Sequence, residues 1–368
     1  MSFEKIKKNF GFGCMRLKMN GDAVDYAEFE RMIDAFMEAG FNYFDTAHGY
    51  ISGKSETAIR DCLIPRYPRE SFVLANKLSA WYYENEEDIL PLFESQLALT
   101  GVSYFDFYLL HAVDREIYEK IKRTNAIPIL KKLKEEGKIR HIAMSFHDTA
   151  EVLDRILTEQ TDIEVVQLQI NYLDMDDPGV QSEACYEVAV KHGKKVIVME
   201  PVKGGTLANL SERAKAPLAT LGEGSPASYA LRFVASLPEV IMVLSGMGNI
   251  AMMEENLRTM DNFVPVSEEE KEALVRVRDI IREEKQIGCT SCNYCYEVCP
   301  KKILISSYFT AYNAYASARV TREEAKGMLV TEGGTPADCV RCGACEKVCP
   351  QGIDIREKLA MIDKKLVK

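Results

Sequence analysis

The chain has 368 residues, of which 47% are hydrophobic, and a formal net charge of −10 at pH 7. Its length exceeds one typical domain, so we expect a second, smaller module, while the acidic balance argues against a nucleic-acid-binding surface or a polybasic membrane contact. No uncharged apolar run is long enough to span a bilayer and the polar start lacks a secretory signal, so we expect a cytoplasmic protein whose eleven cysteines do not form disulfides.

Apolar strand patterns and amphipathic helix patterns alternate along the first 265 residues, repeating about every 30 residues. The predicted strands are Gly11–Met15, Asn42–Asp45, Phe72–Asn76, Phe105–Leu110, Ile139–Ser145 and Val165–Asn171, with a seventh closing at Met199 and an eighth before Ser245. Helices are predicted over Tyr26–Ala39, from Ser55, and over Asp88–Leu99. This repetition is typical of a (β/α)8 TIM barrel, which gathers the residues at the C-terminal ends of its strands into one pocket.

Four polar residues stand at the ends of the second, third and fourth predicted strands or shortly after them. They are Asp45, Tyr50, Lys77 and His111. Each alone has an ordinary structural explanation, but four in step with the repeat predict a shared site. Hydride reduction of a carbonyl creates an alkoxide that needs a proton, and a phenol can supply it. We therefore predict that Tyr50 is the proton donor.

The other three residues have supporting roles in this prediction. A neighbouring ammonium on Lys77 would favour the phenolate and make proton release by Tyr50 easier at neutral pH. Asp45 would keep Lys77 charged and oriented. His111 would donate a hydrogen bond to the carbonyl oxygen and polarise it.

The motifs that contain these residues resemble those of the aldo-keto reductase superfamily. They are Asp45-Thr46-Ala47-x-x-Tyr50, Ala75-Asn76-Lys77 and Leu109-Leu110-His111-x-x-Asp114. The resemblance runs from about Phe10 to about Asn262, and it implies a (β/α)8 barrel with a nicotinamide cofactor, NADP or NAD, across its C-terminal mouth. The implied substrate is a small-molecule carbonyl.

The same resemblance implies which residues hold the nicotinamide. Ser145 and Gln167 match the positions that bind the carboxamide, whereas the expected Asn position holds Phe146. Met199 stands where many members carry an aromatic residue that stacks on the nicotinamide. These two departures leave a flavin open as an alternative cofactor.

Glycine-containing segments follow the seventh and eighth predicted strands, where such barrels commonly bind phosphate. Their candidate cofactor contacts are Lys203, Gly204, Ser245, Gly246 and Asn249. Glu255 and Asn256 resemble the family's adenine-contacting pair. The basic residue expected four positions before the Asn is Met252, which predicts a weaker preference for the 2′-phosphate of NADP.

An aromatic cluster, Trp81-Tyr82-Tyr83, lies between Lys77 and the next predicted helix. A loop at this position would overhang the pocket and contact substrate. Packing on the barrel rim is an equally good explanation, and both stay open.

Two cysteine runs of identical spacing stand in the C-terminal quarter. Their members are Cys289, Cys292, Cys295 and Cys299, and then Cys339, Cys342, Cys345 and Cys349, each run ending in Cys-Pro. This is the bacterial ferredoxin spacing, in which three cysteines of a run hold one [4Fe–4S] cube and the fourth ligates the other cube. Zinc ribbons use paired Cys-x-x-Cys knuckles instead. We therefore predict two [4Fe–4S] clusters.

The predicted domains are a barrel over 1–265, a linker helix over 266–285 and a ferredoxin-like domain over 286–368. Ser267 and Glu270 form a capping-box pattern at the start of the linker helix. Tyr308, Tyr312 and Tyr315 have helical spacing, so the last domain resembles the mainly helical dicluster ferredoxins.

The leading hypothesis is an aldo-keto reductase-like enzyme that reduces a carbonyl, or oxidises an alcohol, with NAD(P)H and exchanges electrons through the clusters with a redox partner protein. One alternative is a ferredoxin- or flavin-linked reductase or electron-transfer protein whose barrel does not use nicotinamide. Another is that the clusters only clamp the C-terminus.

Overall fold

Eight parallel strands close into a barrel in the computed structural model, which describes residues 3–222, 224–330 and 333–367. The strands are β1 Phe10–Gly13, β2 Tyr43–Asp45, β3 Val73–Ser79, β4 Phe105–Val113, β5 Ile139–Phe146, β6 Val165–Gln169, β7 Lys195–Met199 and β8 Val240–Ser245. Each strand pairs with its neighbours in the chain, and β1 closes the barrel against β8. The predicted (β/α)8 barrel is confirmed.

The helices that follow the strands begin with α1 at Tyr26–Glu38, where the Asp25 side chain caps the Glu28 N–H. Those up to the end of the barrel are α2 Lys54–Ala58, α3 Ile89–Thr100, α4 Arg115–Arg123, α5 Ala126–Glu135, α6 Ala150–Glu159, α7 Ser182–Lys191, α8 Glu212–Lys215, α9 Pro226–Ala235 and α10 Ile250–Asp261. Across the described ranges, none of the helices is both long and apolar enough to cross a bilayer.

The barrel interior is filled by one face of each strand. Its apolar core includes Tyr43, Val73, Ala75, Phe107, Leu109, Ala143, Val165, Ile197, Met242 and Leu244. Gly11 of β1 faces this core, since a Cβ there would lie 2.7 Å from Leu244 Cδ2 and 2.9 Å from Met242 Sδ. The core therefore leaves no room for a side chain at position 11.

Side chains alternate along a strand, so residues two and four positions beyond the core residues share its inward face. Those residues are Asp45 on β2, Lys77 and Ser79 on β3, His111 on β4, Ser145 on β5, Gln167 on β6 and Met199 on β7. The alternation thus places a polar layer on the apolar core at the C-terminal end of the barrel.

Two strands extend farther than the sequence predicted. The predicted third and fourth strands end before Lys77 and His111, whereas β3 continues to Ser79 and β4 to Val113. Both polar residues are therefore fixed within the sheet, where backbone hydrogen bonds hold them more rigidly than a loop would.

The chain forms two compact units, of which one comprises Met1–Pro201 and Leu231–Pro265 and the other Val202–Ala230 and Val266–Lys368. The second unit thus includes residues that the sequence analysis assigned to the barrel. Within it, Ser211 Oγ donates a hydrogen bond to Glu284 Oε1 at 2.5 Å, and Arg213 pairs with Glu283. These contacts join the segment after β7 to the end of the predicted linker helix.

Helices dominate the second unit. Besides α8, they include α11 Glu268–Glu283, α12 Tyr294–Glu297, α13 Ile305–Ala316, α14 Arg322–Gly327, α15 Ala344–Lys347 and α16 Ile355–Ile362. Ser267 and Glu270 form the predicted capping box at the start of α11. Tyr308 and Tyr312 of α13 are buried in the same apolar cluster as Cys295 and Cys345, which gives these tyrosines a packing role.

Candidate active site

An ion pair between Lys77 and Asp45 forms the floor of the candidate site. Lys77 Nζ donates hydrogen bonds to Asp45 Oδ1 at 2.6 Å and to the carbonyl oxygen of Thr46 at 2.7 Å. Both side chains are buried. Burial raises the pKa of Asp45 and lowers the pKa of Lys77, and the attraction between the two charges opposes both shifts.

Tyr50 lies over this pair. Its ring centroid is 4.7 Å from Lys77 Nζ, a cation–π distance. Burial raises the pKa of the Tyr50 phenol well above its usual value, and the charges of Asp45 and Glu200 raise it further. This direction is opposite to the lowering by Lys77 that the sequence predicted, because the cost of burying a phenolate is the largest influence on this pKa and Arg16, not Lys77, is the charge that lowers it. The phenol is therefore protonated at neutral pH, as a proton donor must be.

His111 lies beside Tyr50, with ring centroids 6.1 Å apart and the rings nearly perpendicular. Burial lowers the pKa of His111 well below its usual value, and the nearby charge of Lys77 lowers it further. The imidazole is thus neutral at pH 7. Its Nδ1 lies 2.6 Å from the hydroxyl oxygen of Ser79, a residue that sequence reasoning missed.

The three aromatic residues after β3 have different surroundings. Trp81 is half exposed and its ring stands perpendicular to His111 at 5.3 Å. Tyr82 packs edge-on against His48 at 4.8 Å, whereas Tyr83 is buried. Trp81 therefore forms one wall beside His111, while Tyr83 has the packing role that was the alternative.

A buried hydrogen-bond network holds the backbone N–H of Lys77. Sequence reasoning did not predict this network either. Glu56 on α2 is fully buried and accepts a hydrogen bond from Asn76 Nδ2 at 2.8 Å, and its other oxygen lies 2.8 Å from His48 Nδ1. Asn76 Oδ1 accepts from the backbone N–H of Lys77 at 2.8 Å and from Gln96 at 3.1 Å. No local pattern distinguishes Glu56 from the exposed acids around it, so the sequence held no signal for this network.

The predicted carboxamide-binding residues lie next to each other, since Ser145 and Gln167 are register partners on β5 and β6. Both are buried. Ser145 Oγ accepts a hydrogen bond from the backbone N–H of Ala112 at 2.7 Å. Gln167 Oε1 has no hydrogen-bond partner in the described part of the chain, and a buried amide oxygen without a donor is costly. An amide ligand that donates to this oxygen would fit. Phe146, by contrast, is buried and apolar.

The segment after β8 places its predicted contacts around the start of α10. Asn249 caps this helix by accepting from the Met252 N–H at 3.0 Å, and Asn256 donates to Ser245 Oγ at 3.2 Å. Glu28 Oε1 accepts from the Ile250 N–H at 2.7 Å. A carboxylate thus already occupies part of the site where a phosphate was predicted.

Gly246 lies close to a mouth residue that the sequence analysis did not single out. A Cβ on Gly246 would be 2.9 Å from Arg16 Cδ, and Arg16 pairs with Glu200 at 3.2 Å. Both charges act on the Tyr50 phenol, because Glu200 raises its pKa and Arg16 lowers it. The Arg16–Glu200 pair therefore belongs to the electrostatic surroundings of the site.

Lys203 and Gly204 lie in the second unit, at the start of its first segment. Lys203 is buried, with Nζ 3.9 Å from the position that a Cβ on Gly288 would take. Gly204 has a φ of +61°, and a Cβ there would be 2.5 Å from the carbonyl oxygen of Thr290. The two residues thus pack against the beginning of the first cysteine run. Their contact with a cofactor stays a prediction.

The two cysteine runs share one backbone conformation. A left-handed residue follows the first cysteine by two positions in each run, at Ser291 and at Arg341, with φ of 55° and 56°. A second left-handed residue precedes a short helix in each run, at Asn293 with φ 65° and at Gly343 with φ 78°. The runs are therefore structural repeats and not only repeats in sequence.

Cysteines of the two runs meet in a crossed arrangement. One cavity is lined by Cys339, Cys342 and Cys345 of the second run and by Cys299 of the first. Burial raises the pKa of Cys345 to about 11, and the charges of Glu346, Cys339 and Cys299 raise it further. This is the grouping that the ferredoxin spacing predicts for one cube.

The other four cysteines of the two runs are Cys289, Cys292, Cys295 and Cys349. Burial raises the pKa of Cys295, and Cys292, Cys289 and Cys349 raise it further, as does Cys345 of the first group. Within the described ranges, no three His, Cys, Asp or Glu side chains are arranged around a point as for a single metal ion. A cube differs because it presents a separate iron to each thiolate, so its ligands line a cavity.

Comparison with family models gives two matches that together cover most of the chain. Residues 9–279 match the model described as the Aldo/keto reductase family. Residues 288–353 match the model described as a 4Fe-4S dicluster domain. The first match includes all four predicted barrel residues, and the second includes all eight cysteines of the two runs.

Curated proteins similar to the chain are oxidoreductases. The chain is 24% identical over 295 residues to an uncharacterized oxidoreductase, YqkF, of Bacillus subtilis, a match that covers 72% of this chain and 90% of that protein. It is 26% identical over 269 residues to the 9,11-endoperoxide prostaglandin H2 reductase of Trypanosoma cruzi, covering 72% and 87% respectively.

Among solved structures, the chain is similar to a Bacillus halodurans aldo-keto reductase in its holo form, with a TM-score of 0.61 and 24% identity. That match covers 73% of this chain and 91% of the other. At this identity the likeness supports the barrel fold alone.

Proposed function

The chain belongs to the aldo/keto reductase family, and we propose that it reduces a small-molecule carbonyl, or oxidises the corresponding alcohol, with NAD(P)H and exchanges electrons through two [4Fe–4S] clusters. The observation that carries the barrel's part of this proposal is the Lys77–Asp45 pair of 2.6 Å beneath Tyr50. His111 faces the same space.

Tyr50 supplies the proton in this proposal. Burial keeps the phenol protonated at neutral pH, and proton transfer to the developing alkoxide leaves a phenolate beside Lys77. The ammonium then stabilises that phenolate at the moment when it forms, which favours the transition state over the ground state. Asp45 keeps the ammonium charged and oriented.

A nicotinamide cofactor fits the residues at the mouth. Reduced nicotinamide would supply the hydride. Ser145 and Gln167 would hold its carboxamide, and the unpaired Gln167 Oε1 supports this role because it lacks a donor. Met199 would lie against the ring. An Escherichia coli relative named an NADH-specific methylglyoxal reductase is 27% identical over 206 residues, which makes a small aldehyde and NADH reasonable first choices for assay.

Two cubes are proposed for the cysteine centre. Cys339, Cys342, Cys345 and Cys299 would hold one, since they line one cavity. The other four cysteines would hold the second. Each cube carries one electron, whereas a hydride carries two. The two cubes together therefore hold as many electrons as the reduction of one carbonyl needs. A redox partner protein would deliver or accept these electrons.

One observation favours the alternative cofactor. Phe146 puts a buried phenyl ring where the resemblance calls for an amide, and a flavin ring would tolerate an apolar neighbour better than a carboxamide would. A flavin would also convert single electrons into hydride. The alternative function is therefore a ferredoxin- or flavin-linked electron-transfer protein whose barrel does not use nicotinamide.

Anaerobic purification, followed by cofactor extraction and an activity assay, distinguishes the nicotinamide-dependent function from the alternative function. The proposal expects no bound flavin in the extract and NAD(P)H oxidation that depends on an added aldehyde such as methylglyoxal. Stoichiometric flavin with no NAD(P)H-dependent turnover would support the alternative.

A further inference from the structure

Ser79 and His111 are opposite each other on neighbouring strands, as register partners of β3 and β4. The distance from Ser79 Oγ to His111 Nδ1 is 2.6 Å, and the residues are 1% and 6% exposed. Water therefore cannot replace either partner, so which atom carries the proton depends on the protein's own groups.

The direction of this hydrogen bond follows from the partners available. Within residues 3–222, 224–330 and 333–367, the Ser79 hydroxyl has one hydrogen-bond partner, His111 Nδ1. If Nδ1 carried a proton and donated it to Ser79 Oγ, the hydroxyl hydrogen would have no acceptor in a buried environment, which costs about 1–3 kcal/mol. The hydroxyl therefore donates to Nδ1.

A neutral imidazole carries one ring proton, so an Nδ1 that accepts leaves that proton on Nε2. His111 is neutral because it is buried beside the charge of Lys77. Trp81 packs perpendicular to the ring at 5.3 Å, which limits rotation. The ring is consequently held with Nε2–H as its one donor.

We propose that Ser79 is a positioning residue that holds His111 as the Nε2–H tautomer, so that His111 donates a hydrogen bond to the substrate oxygen but no proton. This inference rests on the proposed carbonyl reduction. The other tautomer would present a bare Nε2 lone pair to the carbonyl oxygen and repel it. Ser79 thus separates the two tasks, leaving proton transfer to Tyr50.

The test uses the full chain with its clusters and the variants Ser79→Ala and Ser79→Thr. Nitrogen-15 NMR of histidine-labelled protein reports which ring nitrogen is protonated, and the chain has five histidines, so His111→Gln identifies the signal. We expect an Nε2-protonated ring in the wild type and in Ser79→Thr, and a mixture of tautomers in Ser79→Ala.

Kinetics provide the second measurement. We expect kcat to fall about 10- to 100-fold in Ser79→Ala with KM changed less than about threefold, as for loss of a partner that orients a functional histidine. Ser79→Thr, which keeps the hydroxyl, should stay within about threefold of the wild type. Ser182→Ala is the matched control, since it removes an equally buried hydroxyl that donates to the Gln169 carbonyl oxygen at 2.7 Å.

Two results would overturn the proposal. One is an Nδ1-protonated His111 in the wild type, and the other is loss of kcat in Ser79→Ala while the ring stays Nε2-protonated, which would make Ser79 merely structural. The NMR result needs no turnover. An Nε2-protonated ring in a protein that reduces no carbonyl would therefore contradict the proposed function and leave the Ser79–His111 relation supported.

Discussion

Lys77 Nζ and Asp45 Oδ1 lie 2.6 Å apart inside the barrel, and water reaches neither side chain to any extent. The second carboxylate oxygen, Oδ2, has no partner in the described residues. A buried pair of this kind costs stability if one partner is removed, because the other is left charged and unpaired.

Removal of one partner should therefore lower the free energy of unfolding more than removal of both partners does. We expect Lys77→Met to lower the free energy of unfolding by about 3–5 kcal/mol, and Asp45→Leu combined with Lys77→Met to recover most of it. Urea unfolding followed by the fluorescence of Trp81, the one tryptophan of the chain, reports on the barrel.

Lys131→Met is the control, because Lys131 pairs with Asp162 on the surface and such pairs contribute about 0–1 kcal/mol. A double variant at positions 45 and 77 that is as unstable as the sum of its single variants would contradict a coupled buried pair.

Acid should weaken the barrel partly through Glu164. Burial alone would raise the pKa of Glu164, but hydrogen bonds from His141, Lys134 and the Ile142 N–H lower it to about 2. A folded pKa below the unfolded value of about 4.5 means that the stabilisation is present above pH 4.5 and is lost as the pH falls towards 2.

We therefore expect Glu164→Gln to be less stable than the wild type by about 3 kcal/mol at pH 7, with the difference shrinking below pH 4.5. Urea unfolding at several pH values, followed by Trp81 fluorescence, measures this difference in the free energy of unfolding. Exposed Glu119 offers the control variant Glu119→Gln. If the stability difference between the wild type and Glu164→Gln did not change between pH 7 and pH 3, a lowered pKa of Glu164 would be refuted.

The cysteine centre should contain about eight iron and eight acid-labile sulfide per chain. We expect Cys299→Ala to lose mainly the cube held by the second run, because Cys299 lines that cavity. Turnover driven by a low-potential dye should collapse, while turnover driven by NAD(P)H persists.

Elemental analysis and parallel assays of anaerobic protein decide this, with Cys185→Ala as the control because Cys185 belongs to neither run. Stoichiometric zinc with little sulfide would exclude the cubes. Equal loss of both activities in a protein that stays folded by circular dichroism would favour a structural clamp.

We expect this protein to prefer NADPH over NADH less strongly than relatives that have a basic residue near the 2′-phosphate. Met252 is half exposed on α10, and the Glu28 carboxylate lies at the start of that helix. We expect Met252→Arg to strengthen NADPH binding about tenfold relative to NADH, about 1.4 kcal/mol.

Fluorescence titration of both cofactors measures this ratio. Val275→Arg, which adds the same charge at an exposed position on α11, is the control. A wild-type preference for NADPH of about a hundredfold or more would mean that another cation holds the 2′-phosphate.

Much of the barrel and its polar layer could be predicted because both follow from local patterns. Asp45, Lys77 and His111 repeat with the strand period, and the alternation of side chains turns them inward. Ser79 was missed for a physical reason: Asn76 and Lys77 looked like the end of a strand, whereas buried partners satisfy them and the strand continues.

Other features depend on distant parts of the chain or on burial. Gly204 packs on Thr290, a contact over more than eighty residues that no local pattern contains. The direction of the Tyr50 pKa shift depends on how deeply the phenol is buried, which the sequence does not reveal. Long-range packing therefore decided the points that the sequence analysis left out or reversed.

In the proposed reaction, Tyr50 gives the proton that completes carbonyl reduction. Tyr43→Phe is a close control for Tyr50→Phe, because the Tyr43 hydroxyl is buried two residues before Asp45 and has no partner in the described residues. Its removal should leave both activity and folding intact.

The decisive measurement is the steady-state rate of NAD(P)H-dependent aldehyde reduction by the wild type, Tyr50→Phe and Tyr43→Phe, purified anaerobically with equal iron content. We expect kcat of Tyr50→Phe to fall by about 10²- to 10⁴-fold while Tyr43→Phe stays within about threefold of the wild type. Activity of Tyr50→Phe within about threefold of the wild type would show that another group gives the proton.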